Sequence, residues 1–134
     1  MIKDIQFKEV KNIAVAVVRD GDEDSDLWDV YLLNMNPIPV TGVFITSKGY
    51  GEINQEARKT SELRWFFDEI QANGVVKIEA IVEDVFGLHN EYWVSYYIGT
   101  QIYDKRFVFL AESIKPENFT QIPILSQKGV LLTT

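Results

Sequence analysis

Few residues of this 134-residue chain are equipped for chemistry, and their spacing narrows the options further. His89 is the only histidine, and there is no cysteine. That excludes a multi-histidine metal centre, a mechanism needing two imidazoles, a thiol nucleophile and a disulfide framework. His89 lies in Phe86-Gly87-Leu88-His89-Asn90-Glu91, so His89 and Glu91 form a candidate acid/base pair. No G-x-S-x-G elbow marks a nucleophile for them, and a capping or turn role for His89 and Asn90 competes. Gly49-Tyr50-Gly51 suggests a phosphate loop but lacks the third glycine of a dinucleotide fingerprint and the Gly-Lys-Ser/Thr of a P-loop. It reads as a tight turn with Tyr50 folded back or presented outward. Tyr50, His89 and Glu91 together define one candidate cleft.

Asp20, Asp22, Glu23, Asp24 and Asp26 form the most conspicuous polar run. Asp20, Asp22 and Asp24 match positions 1, 3 and 5 of a calcium loop. Position 6 is Ser25 where glycine is needed, and position 12 is Tyr31 where a bidentate glutamate belongs. The run therefore reads as a solvated connection, and neither metal nor cofactor is expected. It also reshapes the charge count. Twenty acids against thirteen bases give −7, but without these five acids the remainder is fifteen against thirteen, only −2. Neither nucleic acid nor an anionic membrane is an expected partner, since both reward clustered lysine and arginine.

Aromatic residues carry more information. Phe86, Tyr92, Trp93, Tyr96, Tyr97, Tyr103, Phe107 and Phe109 place eight of the seventeen aromatics within 24 residues. Along the first arm Tyr92, Val94, Tyr96 and Ile98 share one face, while Trp93, Ser95 and Tyr97 share the other. Such a strand is either central and covered on both sides, or it exposes an aromatic face suited to sugar stacking or a protein partner.

The elements that position these residues follow from periodicity. Ile13–Val18 is apolar on both faces and β-branched, which predicts a buried central strand. Trp28–Leu33 resumes a strand with Trp28, Val30 and Leu32 on one side, and Asn36-Pro37-Ile38-Pro39 signals a turn. Val40–Ser47 is a third strand, closed by Gly49-Tyr50-Gly51. Leu63, Phe66, Phe67 and Ile70 then fall at i, i+3, i+4 and i+7, predicting an amphipathic helix from a Thr60 or Ser61 N-cap to Asn73-Gly74. Trp65 lies off that stripe, so it either widens the buried face or stands exposed as an anchor. Val76, Ile78, Ala80 and Val82 alternate with Lys77, Glu79 and Glu83, a half-buried strand with a wet face. Tyr92–Ile98 and Ile102–Leu110 flank Gly99-Thr100, which suits a type II′ hairpin. Asp104 and Arg106 place the second arm at an edge or rim. Ile122–Leu125 and Val130–Leu132 are short apolar pieces.

Six or seven strands with one inserted helix predict a mainly β domain spanning 1–134. The expected form is an antiparallel, immunoglobulin-like β-sandwich; the alternative is an α+β single antiparallel sheet with the helix packed on it. Met1-Ile2-Lys3-Asp4-Ile5-Gln6 carries an acid where a secretory signal would turn apolar, and the longest apolar run is far short of a bilayer span. A soluble cytoplasmic protein is the default expectation.

Four strings carry a resemblance: Trp28-Asp29-Val30-Tyr31-Leu32-Leu33-Asn34, Ser47-Lys48-Gly49-Tyr50-Gly51, Leu63-Arg64-Trp65-Phe66-Phe67-Asp68-Glu69-Ile70, and Asn90–Gly99. They resemble a group of short, uncharacterised bacterial proteins, some of which carry the name of the phenylalanyl-tRNA synthetase alpha subunit. The ATP motifs of a class II synthetase are absent from this chain, so the resemblance implies a small bacterial protein and no catalytic residue. The functional expectation is a protein-interaction or self-association domain using an aromatic surface, non-enzymatic, with Trp65, Trp93 and Tyr97 as contact residues. The alternative is a small ligand-binding or enzymatic domain built on Tyr50, His89 and Glu91. These differ in geometry: the alternative needs the three side chains within about 10 Å of one another, around a pocket.

Overall fold

The computed structural model describes residues 8–22 and 24–134; the reading of Met1–Gln6 and the acid Glu23 lie outside the described residues. Ten strands follow one another: β1 (Ile13–Arg19), β2 (Leu27–Asn34), β3 (Val40–Ile53), β4 (Glu56–Lys59), β5 (Leu63–Ile70), β6 (Gly74–Val82), β7 (His89–Ile98), β8 (Gln101–Phe109), β9 (Thr120–Gln121) and β10 (Lys128–Thr133). They build two antiparallel sheets. The first has the order β6-β2-β1-β10-β9, and the second runs β4-β3-β7-β8 with β5 also paired to β3. Long β3 is lined on one side by β7 and on the other by β5 and β4 in succession. Among the described residues no helix is long and apolar enough to cross a membrane.

One core joins the sheets. Val15, Val17, Trp28, Val30 and Leu32 from the first meet Val43, Ile45, Tyr92, Val94, Tyr96, Phe107 and Phe109 from the second. β1 lies at the centre of its sheet, as its doubly apolar sequence predicts. Its outward residues Ala14, Ala16 and Val18 are buried with Leu33 beneath Ile122 and Leu125, which lie between β9 and β10. The acidic run forms the β1–β2 turn, where the Asp20 N–H donates to the Leu27 carbonyl. Ile98 pairs with Gln101 across Gly99-Thr100; φ is positive at Gly99 and not at Thr100, as a type II′ turn requires. Among the described residues β8 is the last strand of its sheet, with Lys8 bridged to Tyr103 on its outer side, whereas β10 pairs with β1 along Val130–Thr133 and with β9 at Lys128 and Gly129. Gly129 permits that enclosure, since a Cβ there would fall 2.3 Å from the Val17 carbonyl oxygen.

Three expectations are corrected. The helix over Leu63–Ile70 is strand β5, paired residue by residue with β3 from Val40–Ile70 to Ser47–Leu63. From Leu63 to Asp68 the residues satisfy period two, with Leu63, Trp65 and Phe67 on the core side and Arg64, Phe66 and Asp68 facing out, and Ile70 at the strand's end is buried. Aromatic-rich Trp65-Phe66-Phe67 favours a pleated surface, and pairing with a long neighbour outweighs a coincidental helical stripe. Asn73, with φ of 52°, turns the chain between strands instead of ending a helix. Gly49-Tyr50-Gly51 is not a turn either. β3 runs through it to Ile53 and reverses at Asn54-Gln55, both with positive φ as in a type I′ hairpin. Finally, the wet face assigned to β6 is wrong beyond Ile78. A bulge there moves the pairing from Tyr31–Lys77 to Val30–Glu79 and shifts the alternation by one residue. Ala80 and Val82 therefore point out, while Ile81 packs against the core and Glu79 points inward.

Candidate functional site

Two places collect chemistry. The first is the outer face of the second sheet, where Phe44 of β3, Phe66 of β5, and Trp93 and Tyr97 of β7 remain 42%, 58%, 44% and 41% exposed. Period-two alternation puts them all on one side, and the Phe44 and Phe66 ring centroids lie 6.5 Å apart. The Trp93 indole N–H donates to the Asp104 carboxylate of β8, which fixes that ring across the strand pair. β7 is thus central, with Tyr92 and Tyr96 buried on one face and Trp93 and Tyr97 exposed on the other. Trp65 is no part of the exposed face, because its half-buried ring packs against the core. Its neighbour Phe66, which the helical reading assigned to the core stripe, holds the exposed position instead.

Tyr50, His89 and Glu91 do converge on this face. Tyr50 pairs with His89 across β3 and β7, their rings 5.5 Å apart, and the Tyr50 hydroxyl donates to Glu91 at 3.3 Å. Glu91 is buried and also receives Lys48 at 3.6 Å and Arg106 at 3.5 Å. His89 accepts the Ala111 N–H at its Nδ1 (3.0 Å), which leaves its proton on Nε2. The Asn90 side chain donates to the carbonyls of Val85 and Leu88 and closes the turn before β7. The cavity beside Tyr50 is walled by Lys48, Gly49, Lys59, Thr60, Ser61 and Glu62, without His89 or Glu91. Chemically the cluster is a neutralised hub tying β3, β7 and β8 together. Among the described residues no three histidine or carboxylate groups gather as a metal site.

The second place is a cleft of about 300 Å³ between the sheets, beside the break separating β4 from β5. Thr60 crosses that break: its N–H donates to the Gly49 carbonyl at 2.8 Å, and its Oγ1 accepts the Gly49 N–H at 2.7 Å. Leu63, Ile81 and Val85 supply apolar walls, while Ser47, Glu79, Asn90 and Tyr92, together with Lys48, Thr60 and Ser61, supply polar ones. The buried Tyr92 hydroxyl donates to Glu79 at 2.7 Å. Burial raises the Glu79 carboxyl above the ordinary glutamate range, and hydrogen bonds from Tyr92 and Ser47 pull it back in part. Burial and the Glu79 charge together push the Tyr92 phenol well up, so it stays protonated as the donor. Sequence reasoning missed Glu79 because a bulge leaves no mark in the hydrophobic pattern. It missed Phe66 as a surface residue because β5 was read with the wrong period. No family model matches the chain, and no curated protein matches it.

Proposed function

We propose that this chain is an association domain, an immunoglobulin-like sandwich that pairs with a second copy of itself along β5 and the aromatic face that β5 borders. The observation that carries this reading is the chemistry of the β5 edge. A strand at a sheet edge presents unpaired backbone groups, and proteins blunt such edges with charges, bulges or brevity. The other edges use these devices. β8 carries Asp104, Lys105 and Arg106 in succession, β6 is bulged at Ile78 beside Lys77, β4 has four residues and β9 has two. β5 has eight residues, no bulge in its pairing and no proline or glycine, and beside Arg64, Asp68 and Glu69 it carries apolar side chains on both faces.

Its charges are also self-complementary. A two-fold axis perpendicular to the sheet keeps outward residues outward, so antiparallel β5 strands pair position with position of like parity. Centred on Phe66, this sets Phe66 against Phe66, Trp65 against Phe67, Leu63 against Glu69, and each Arg64 against the Asp68 of the other copy. Opposite charges directly across a strand pair stabilise it, and like charges oppose it. The pairing would extend the Phe44–Phe66 strip across both molecules. Glu91 has no part in catalysis in this reading, since two cations and a phenol already hold it. Sedimentation of the purified chain from about 10 µM to about 1 mM, the range in which a small interface dissociates, tests the proposal. The expected result is a reversible dimer that Phe66→Arg abolishes; a monomer at every concentration would overturn it.

A further inference from the structure

The cleft beside the β4–β5 break shares only Leu63 with the paired strand, and its floor has a particular chemistry. The bulge at Ile78 turns Glu79 inward at a position where regular alternation would leave it in water. The Tyr92 hydroxyl donates its proton to that carboxylate, and Ser47 of β3 stands beside it in the cleft lining. What remains on the floor is a group of oxygen lone pairs with one negative charge. Among the described residues, no lysine, arginine or histidine nitrogen lies within 4 Å of Glu79. The nearby Lys48 of the cleft wall is paired with Glu91. A partly buried carboxylate served by hydroxyls and by no cation is left incompletely neutralised, and a cation with several N–H donors completes it. Around that floor the apolar walls are Leu63, Ile81 and Val85, and the volume of about 300 Å³ stands at the small end of ligand sites.

We infer that the cleft is a binding site for a small primary amine, with its ammonium on Glu79 and Tyr92 and its apolar body against Leu63, Ile81 and Val85. The Glu79 charge selects a cation over an anion, and Lys48 of the wall is already held by Glu91. The shape selects a compact hydrocarbon or aromatic body over a polyamine.

The test is an amide-resolved NMR titration of the intact protein with three probes of equal body and different head: 2-phenylethylammonium, 2-phenylethanol and 3-phenylpropionate. The amine is expected to shift the amides of Ala80, Ile81 and Leu63 and to bind at least about tenfold more tightly than either other probe. Glu79→Gln is nearly isosteric and keeps an acceptor for Tyr92, so its spectrum should remain that of the folded protein. Its affinity for the amine should fall at least about tenfold, to the level of the alcohol. Equal binding of the alcohol or the carboxylate to the native chain would overturn the inference, and that comparison needs no variant. No saturable shift by the amine up to about 10 mM, or an undiminished affinity in Glu79→Gln, would overturn it too.

Discussion

Replacing Tyr92 by Phe removes a single oxygen, and the structure says what that oxygen does. It donates at 2.7 Å to Glu79 from a fully buried ring. A hydrogen bond to a charged group contributes about 1.5–3 kcal/mol, and because Glu79 is only partly buried the lower value applies, about 1.5 kcal/mol. An unfolding entropy of about 2.1 cal/mol/K per residue gives about 0.28 kcal/mol/K for this chain, so Tm should fall by about 5 °C at pH 8. The loss should also depend on pH. The folded Glu79 carboxyl titrates above its unfolded value, so its favourable contribution is full below the unfolded value, near 4.3. That contribution is lost as pH rises through the folded one. Tyr92 opposes that upward shift; without it the folded value rises further and more stability is lost. The difference between Tyr92→Phe and the native chain should therefore be small near pH 4 and grow with pH to its full size. Thermal unfolding followed by circular dichroism at several pH values measures this. The same substitution made on a Glu79→Gln background should cost less than half as much at pH 8, the difference being the coupling of the pair. A loss independent of pH and equal in both backgrounds would refute the reasoning, because it would place the effect in ring packing.

Gly129→Ala should be among the most damaging small substitutions, because its Cβ would meet the Val17 carbonyl at 2.3 Å and Val18 Cγ1 at 2.7 Å. A loss of about 3 kcal/mol or more is expected in urea unfolding, and a loss below about 1 kcal/mol would contradict the close β1–β10 approach. Asn34→Ala should cost about 3 kcal/mol by the same assay. The buried amide reaches the carbonyls of Ile38, Ile70 and Gln71 at 3.0–3.2 Å and accepts the Asn36 N–H, pinning both ends of the crossings between sheets. Changing Asp20, Asp22, Asp24 and Asp26 together to Asn should shift stability by less than about 1 kcal/mol. Asn keeps the acceptors that Asp22 and Asp26 offer to the Asp24 and Glu83 N–H groups, and the β1–β2 turn is exposed. Loss of folding in that variant would show that the acids hold a structural cation.

How much of this was legible in the sequence depends on which physical signal each part used. Strands whose two faces differ in burial, such as β7, or are apolar on both, such as β1, announced themselves through composition and period. The Gly99-Thr100 reversal was legible because positive φ at one residue selects glycine. β5 was misread because four apolar residues at helical spacing also alternate in twos once Trp65 is counted, and only pairing with β3 decides between the two. The Asn54-Gln55 turn hid because neither residue is glycine, although both adopt positive φ. Glu79 was assigned to solvent for a related reason: one bulged residue reverses inside and outside without altering composition. Tyr50, His89 and Glu91 lie side by side because the β3–β7 register pairs Tyr50 with His89, which no spacing along the chain encodes. Their neutralisation by Lys48 and Arg106 was beyond reach, because it depends on which strands flank β7.

The central claim is that β5 pairs with its own copy through the Arg64–Phe66–Asp68 pattern, and a charge-reversal series tests it most directly. Sedimentation equilibrium would compare the native chain, Asp68→Arg, Arg64→Asp, and the double exchange Arg64→Asp/Asp68→Arg. Each single change sets like charges across the pairing and should weaken the dimer by about tenfold or more, while the double exchange restores opposite signs and should recover the native value. Equal dimer affinity in all four proteins, or no dimer in the native one, would contradict the account.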